Sequence, residues 1–198
     1  RLNYLIMKKV TKMSLRDLAK EMPVLSELEQ SGFVGGDKLV FDKAGHYIET
    51  VWDGNDYNTV NIEGTNSGYI LGSETTFSSY EYKDDNGSTA TGFMFSGADI
   101  GLFEFFAGGT DVEWAYSYNE DDTDEDAGIL NTTHSTNSVQ GLYSSGFDSF
   151  THSHPNGETG FSDEDRNTFE GLKNRYGYEN FSSYAPGLEN ENDRYSVY

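Results

Sequence analysis

Residues 147–165 read FDSFTHSHPNGETGFSDED, and this stretch decides how the rest of the chain is read. Phe147 to His154 has the composition of a strand. Alternate side chains of a strand point to opposite faces, so His152 and His154 lie on one face with their rings adjacent. Pro155 cannot continue a ladder and Asn156-Gly157 is a turn pair, so the strand stops directly after the second histidine. Ser162 then has the character of a helix N-cap, which places Asp165 in the first turn of a helix. Two imidazoles and one carboxylate make three ligands. Three protein ligands on zinc leave a fourth position for water, the arrangement of a catalytic site rather than a structural one. Each half has a plainer reading, since Ser162 and Asp165 form a capping box on their own and His-x-His in a strand is compatible with ordinary surface. Only four histidines occur in the chain, however, and two fall here in register with Pro155, Ser162 and Asp165.

This spacing, H-S-H-P, six residues, Ser, two residues, Asp, resembles the signature of the JAMM (MPN-plus or JAB) zinc metalloproteases. Around the motif the chain is most similar to the bacterial JAB-like toxin branch. The resemblance implies an α/β (α+β) fold with a deaminase-like core of mixed sheet and flanking helices. It also implies a zinc-dependent peptidase or isopeptidase acting on a protein or peptide. In that family an upstream strand glutamate serves as the base, and the serine equivalent to Ser162 donates a hydrogen bond to the oxyanion. The run Thr110 to Tyr118 reads as a strand with Val112, Trp114, Tyr116 and Tyr118 on one face and Glu113, Ala115 and Ser117 on the other. Small neighbours suit a carboxylate at the floor of a site. Glu113, which precedes His152 by 39 residues, is therefore the expected base, ahead of Glu104 in a helical run and Glu81 in a peripheral hairpin.

Composition narrows the chemistry. Hydrophobic residues make up 35% of 198, but 15% are aromatic, so large rings must supply much of the core. The absence of cysteine excludes disulfides and thiolate ligands, and leaves histidine and carboxylate for a metal. No apolar run is long enough for a membrane span. The net charge of −21 is uneven. Residues 1–36 carry six basic against four acidic residues, and the remainder carries seven against thirty. Such a body repels nucleic acid.

The basic N-terminal segment has its own logic. We read Met7 as a start and residues 1–6 as an upstream extension. Ser14 caps a short helix with Leu15, Leu18 and Met22 on one face, and the segment ends at Val34-Gly35-Gly36. This resembles the double-glycine leaders of bacteriocin-type precursors, particularly those of Bacteroidetes. The resemblance implies cleavage after Gly36 by the peptidase of an ABC transporter, secretion, and an immunity protein as a possible partner. The alternative is a small helix of the folded domain.

Residues 37–96 are expected to form β-hairpins and 97–198 the metalloprotease core. Leu39–Phe41 and Tyr47–Trp52 flank a turn, in a phrase that resembles the opening hairpin of bacterial polymorphic toxins, with His46 at the surface. Further strands are expected over Tyr57–Ile62, Thr75–Lys83 and Thr89–Phe95. Gly97 to Phe106 is expected to be helical, closed by Gly108-Gly109. The acidic run from Glu120 to Gly128 lacks the glycine and distant glutamate of a calcium loop and reads as a solvated surface. Ile129–Thr136 is expected as a strand carrying His134, read as structural with a supporting role behind the ligands as the alternative, Ser138–Tyr143 as a helical turn, and Phe181–Tyr184 and Arg194–Tyr198 as terminal strands. The competing functions are a non-catalytic JAB-like binding module and a bacteriocin-type antagonistic protein.

Overall fold

A computed structural model describes residues 36–52, 57–84, 86–120, 128–144 and 146–198. Residues 1–35 of the expected leader, Gly35 among them, and the acidic run 121–127 lie outside the described residues. Gly36 is buried, at φ 89°, and its amide donates to Asn58 Oδ1 at 3.2 Å, directly before the first strand.

The fold is α+β, with more strand than helix. β1 (Asp37–Phe41) pairs antiparallel with β2 (Tyr47–Trp52) and parallel with β3 (Thr59–Ile62), and β3 pairs with β4 (Gly68–Ile70). These four form one sheet in the order β2-β1-β3-β4. The hairpin of β5 (Thr76–Lys83) and β6 (Thr89–Ala98) belongs instead to the larger sheet. Its other strands are β7 (Trp114–Tyr118), β8 (Gly128–Thr132), β9 (Ser149–Ser153), β10 (Asn180–Tyr184) and β11 (Tyr195–Val197). The order is β11-β10-β9-β7-β8-β6-β5, so the boundary between sheets falls between residues 70 and 76.

Among the described residues, two α-helices complete the layers. α1 (Ile100–Gly109) is capped by Asp99, whose carboxylate accepts from Leu102 N at 2.6 Å and from the Tyr69 hydroxyl. It starts later than expected because Asp99 takes the cap, and it runs through Gly108-Gly109 instead of stopping there. A side chain on Gly109 would meet Ile62 Cδ1 at 2.3 Å, so the glycine lets α1 approach β3. α2 (Asp163–Tyr176) joins β9 to β10, which are parallel neighbours, and ends at Gly177 in the left-handed conformation that favours glycine.

Alternation along the strands assigns the two faces of the large sheet. Trp114 and Tyr116 of β7 face a core shared with β1, β3 and α1. That core is aromatic: the Phe41 ring touches Phe77, Phe93, Phe95 and Phe106, and Phe106 stacks on Trp114 at 4.2 Å. Ala115 of β7 faces the opposite side, where Phe150 and Phe181 pack under Phe169 and Leu172 of α2.

Candidate metal centre and cleft

β9 is interior to the sheet, between β7 and β10, and all five of its residues are buried. Alternation carries Phe150, His152 and His154 toward α2. His154 lies one residue past the strand, and its amide donates to Tyr184 O at 2.7 Å, which extends the strand alignment to the second histidine. In the antiparallel register of β7 and β9, Ala115 pairs with His152. Continuing that register by two residues sets Glu113 opposite His154. The methyl of Ala115 below His152 leaves room that a larger side chain would fill.

β7 begins at Trp114, so the expected strand from Thr110 is shorter. Glu113 sits at its edge, where its amide donates to Ser135 O at 2.8 Å instead of to a neighbouring strand. Its side chain is only 7% exposed yet lines the cleft described below. Burial first, and repulsion from Asp165 second, push its carboxyl up to about 8.

Ser162 caps α2 and Asp165 is its third residue, forming a complete capping box. Asp165 N donates to Ser162 Oγ at 3.1 Å, while Ser162 N and Oγ each donate to Asp165 Oδ2 at 2.8 Å. The other oxygen, Oδ1, faces His152 Nε2 at 3.2 Å. The capping and ligand readings of this carboxylate are therefore compatible, one oxygen serving each. Burial opposes ionisation of Asp165, but bonding and charge from His152, with the two bonds from Ser162, outweigh it and hold the carboxyl well below the usual carboxylate range.

The three donors converge. His152 Nε2 and His154 Nε2 are 2.9 Å apart, and Asp165 Oδ2 is 4.0 Å from His154 Nε2. One donor atom from each of His152, His154 and Asp165 lies within 4.8 Å of the other two. His154 Nδ1 contacts Glu158 O at 3.0 Å, and donation to that carbonyl leaves the Nε2 lone pair free to ligate. Burial, then the neighbouring His152, lowers the His154 pKa, which favours the neutral form a metal requires. His152 Nδ1 is buried without a hydrogen-bond partner among the described residues. Its ring is held instead by Phe150 and Phe181, with centroids 6.1 and 5.6 Å away. The residues present thus form a group of three donors that could hold a metal ion.

A cleft of about 560 Å³ opens over the cluster, lined among others by Glu113, Asn137, His154, Glu158, Phe161 and Asp165. A smaller recess of about 110 Å³ shares Glu113, Asn137, Ser162 and Asp165 and reaches His152. The five expected site residues Glu113, His152, His154, Ser162 and Asp165 all border one or both cavities, whereas Gly36 does not. Among the described residues, neither Glu81 nor Glu104 lines them, and Glu104 is hydrogen-bonded to the Tyr195 hydroxyl.

Other expectations around the site are corrected. Residues 138–143 form no helical turn; they run without regular structure, held by Asn131, whose side chain bonds Gln140 O and Leu142 N. The strand expected to Thr136 ends at Thr132, and His134 follows with φ 59°. His134 lines neither cavity and stacks on His46 at 4.3 Å. Asn137, Val139 and Tyr143 in this segment went unanticipated as cleft residues because no periodicity marks them. The one available signal was the proximity in sequence of Tyr143 to the motif strand.

No helix of the described residues is long and apolar enough to cross a membrane. Comparison of the chain with protein-family models, curated proteins and solved structures finds no match.

Proposed function

We propose that the chain is a zinc-dependent hydrolase of the JAMM type that cuts an amide bond of a peptide or isopeptide substrate. The observation that supports this reading is the convergence of His152, His154 and Asp165 within single-ion reach, with Glu113 lining the same cleft. His152 Nε2, His154 Nε2 and Asp165 Oδ1 would hold the ion. Zinc bound there supplies Lewis acidity, lowering the pKa of a water from near 16 toward about 7.

Glu113 accepts the proton that the attacking water loses and delivers it to the departing amine nitrogen, so that OH ends on the carbonyl carbon and H on the amine. Its raised proton affinity suits this double task, and a cation at the neighbouring ligands draws the value back toward neutrality. Ser162 holds Asp165 in the ligating orientation. A hydroxyl has one proton to donate, so stabilising an oxyanion requires the Ser162 hydroxyl to rotate away from Asp165.

The test is metal analysis combined with incubation of the chain with a peptide library, with and without a chelator. Zinc at one equivalent and chelator-sensitive cleavage are expected, with cleavage lost and zinc kept in Glu113→Gln. Absence of stoichiometric metal, or full turnover by Glu113→Gln, overturns the assignment. Export after leader removal is part of the proposal and rests on residues 1–36 alone; the N-terminal mass of the secreted chain decides it.

A further inference from the structure

We propose that Asn137 is a catalytic residue of the cleft, its side-chain amide donating a hydrogen bond to the carbonyl oxygen of the substrate amide as that oxygen takes up negative charge. This rests on the reading of the cluster as a zinc hydrolase site. The ligand cluster straddles the junction of the two cavities. His154 lines the larger cleft and not the recess, His152 the recess and not the larger cleft, and Asp165 both. Among the described residues four line both: Glu113, Asn137, Ser162 and Asp165. Three of these already serve as base, orienting hydroxyl and ligand. Asn137 is the fourth.

Its position is tied to the base. Asn137 N donates to Ser135 Oγ at 3.3 Å, and the carbonyl of the same serine accepts from Glu113 N at 2.8 Å. Donor and base therefore hang from one residue. The Asn137 side chain is exposed to the cleft, and among the described residues it has no hydrogen-bond partner.

The surroundings call for a neutral donor. Glu113, Glu158, Glu164 and Asp165 border the cavities, and among the described residues no Lys or Arg lines either. Ser162 has one hydroxyl proton, and it is given to Asp165 Oδ2 at 2.8 Å. Asn156 borders the larger cleft alone, and its Oδ1 accepts from Glu158 N at 3.1 Å. Asn137 carries two N–H groups and has no bond to break before using them. As the water oxygen bonds to the carbonyl carbon, the π pair moves onto the carbonyl oxygen, where the Asn137 N–H meets it. When the C–N bond breaks, the pair returns and the amine leaves with the proton from Glu113.

The phosphinic analogue of alanylalanine, in which a tetrahedral phosphinate replaces the amide, presents the negative oxygens of the intermediate and reads the donor without turnover. Calorimetry on the zinc-loaded chain would compare the wild type with Asn137→Ala and Asn137→Asp. The alanine variant is expected to bind the analogue about ten- to a hundredfold more weakly, the scale of a hydrogen bond to a charged group. Asn137→Asp, which keeps the shape but sets a carboxylate against those oxygens, should bind more weakly still. Zinc content and urea midpoint should not change. On any library peptide that is cut, kcat should fall about a hundredfold in Asn137→Ala with KM little altered. Equal binding of the analogue by the wild type and both variants, or a loss confined to KM, overturns the role of Asn137 while leaving the metal site standing. If the wild type neither retains zinc nor binds the analogue, the hydrolase reading fails and the role of Asn137 with it.

Discussion

His152 Nε2 and His154 Nε2 approach to 2.9 Å, although a strand places same-face neighbours nearly 7 Å apart at the backbone. The rings lean together, with Asp165 Oδ1 3.2 Å from the first of them. Two neutral imidazoles at this distance share at most one hydrogen, whereas a cation between them engages both lone pairs. The wild type should therefore gain about 5–10 °C in melting temperature at zinc concentrations one hundred times the dissociation constant. His154→Ala and Asp165→Asn should show little of that gain. An undiminished zinc shift in either variant would remove that residue from the ligand set.

Ser162 links the helix cap to the ligand. Ser162→Ala removes the acceptor for Asp165 N and the donor to Asp165 Oδ2 together. Loss of the cap should cost about 1 kcal/mol in urea unfolding of the metal-free chain. Loss of the donor should weaken zinc binding by about tenfold, because the carboxylate is no longer oriented. Ser162→Thr should restore both, and a variant with normal zinc affinity would confine Ser162 to capping.

Glu113 gives the metal-free chain a distinctive pH response. Its folded pKa, about 8, exceeds the unfolded value near 4.5, so the native state binds more protons between those limits. Its contribution is complete below pH 4.5 and is lost as pH rises toward 8, at no more than about 1.4 kcal/mol per pH unit. Asp165 acts in the opposite sense, contributing above its unfolded pKa and losing that contribution as pH falls. The lowered pKa of His154 likewise favours the fold above its unfolded value, which partly masks Glu113 below about pH 6.5. Comparing urea unfolding of the wild type and Glu113→Gln from pH 5 to 8 isolates the effect. The wild type should lose more stability over that range than the variant, and parallel curves would show Glu113 ionised throughout.

Gly92 tests the sheet that carries the site. It pairs with Tyr80 across the β5–β6 hairpin, and a side chain there would lie 2.8 Å from Thr132 O of β8 and 2.6 Å from the Tyr80 ring. The carbonyl is backbone in an interior strand and cannot swing aside. Gly92→Ala should cost about 1–3 kcal/mol by overpacking, seen as a lower urea midpoint, with zinc affinity per folded molecule retained. A neutral substitution would mean that the hairpin yields.

What could be read from the chain alone divides along the range of the interactions involved. The motif strand, the Ser162 cap, the course of α2 to Gly177 and the shared face of His152 and His154 follow from local stereochemistry, which acts within a few residues. Glu113 was legible only as a strand carboxylate with small neighbours; its position opposite His154 comes from the register of β7 against β9. Assignment of β5–β6 to the larger sheet, the path of residues 133–144 and the recess at Val139 and Tyr143 lay beyond reach. Periodicity states which face a strand buries, but it does not name the partner strand. The sequence by itself determined which side chains could ligate and on which local elements they sit. Only the tertiary structure decided that they meet, because strand pairing and packing across tens of residues set which faces close on one another.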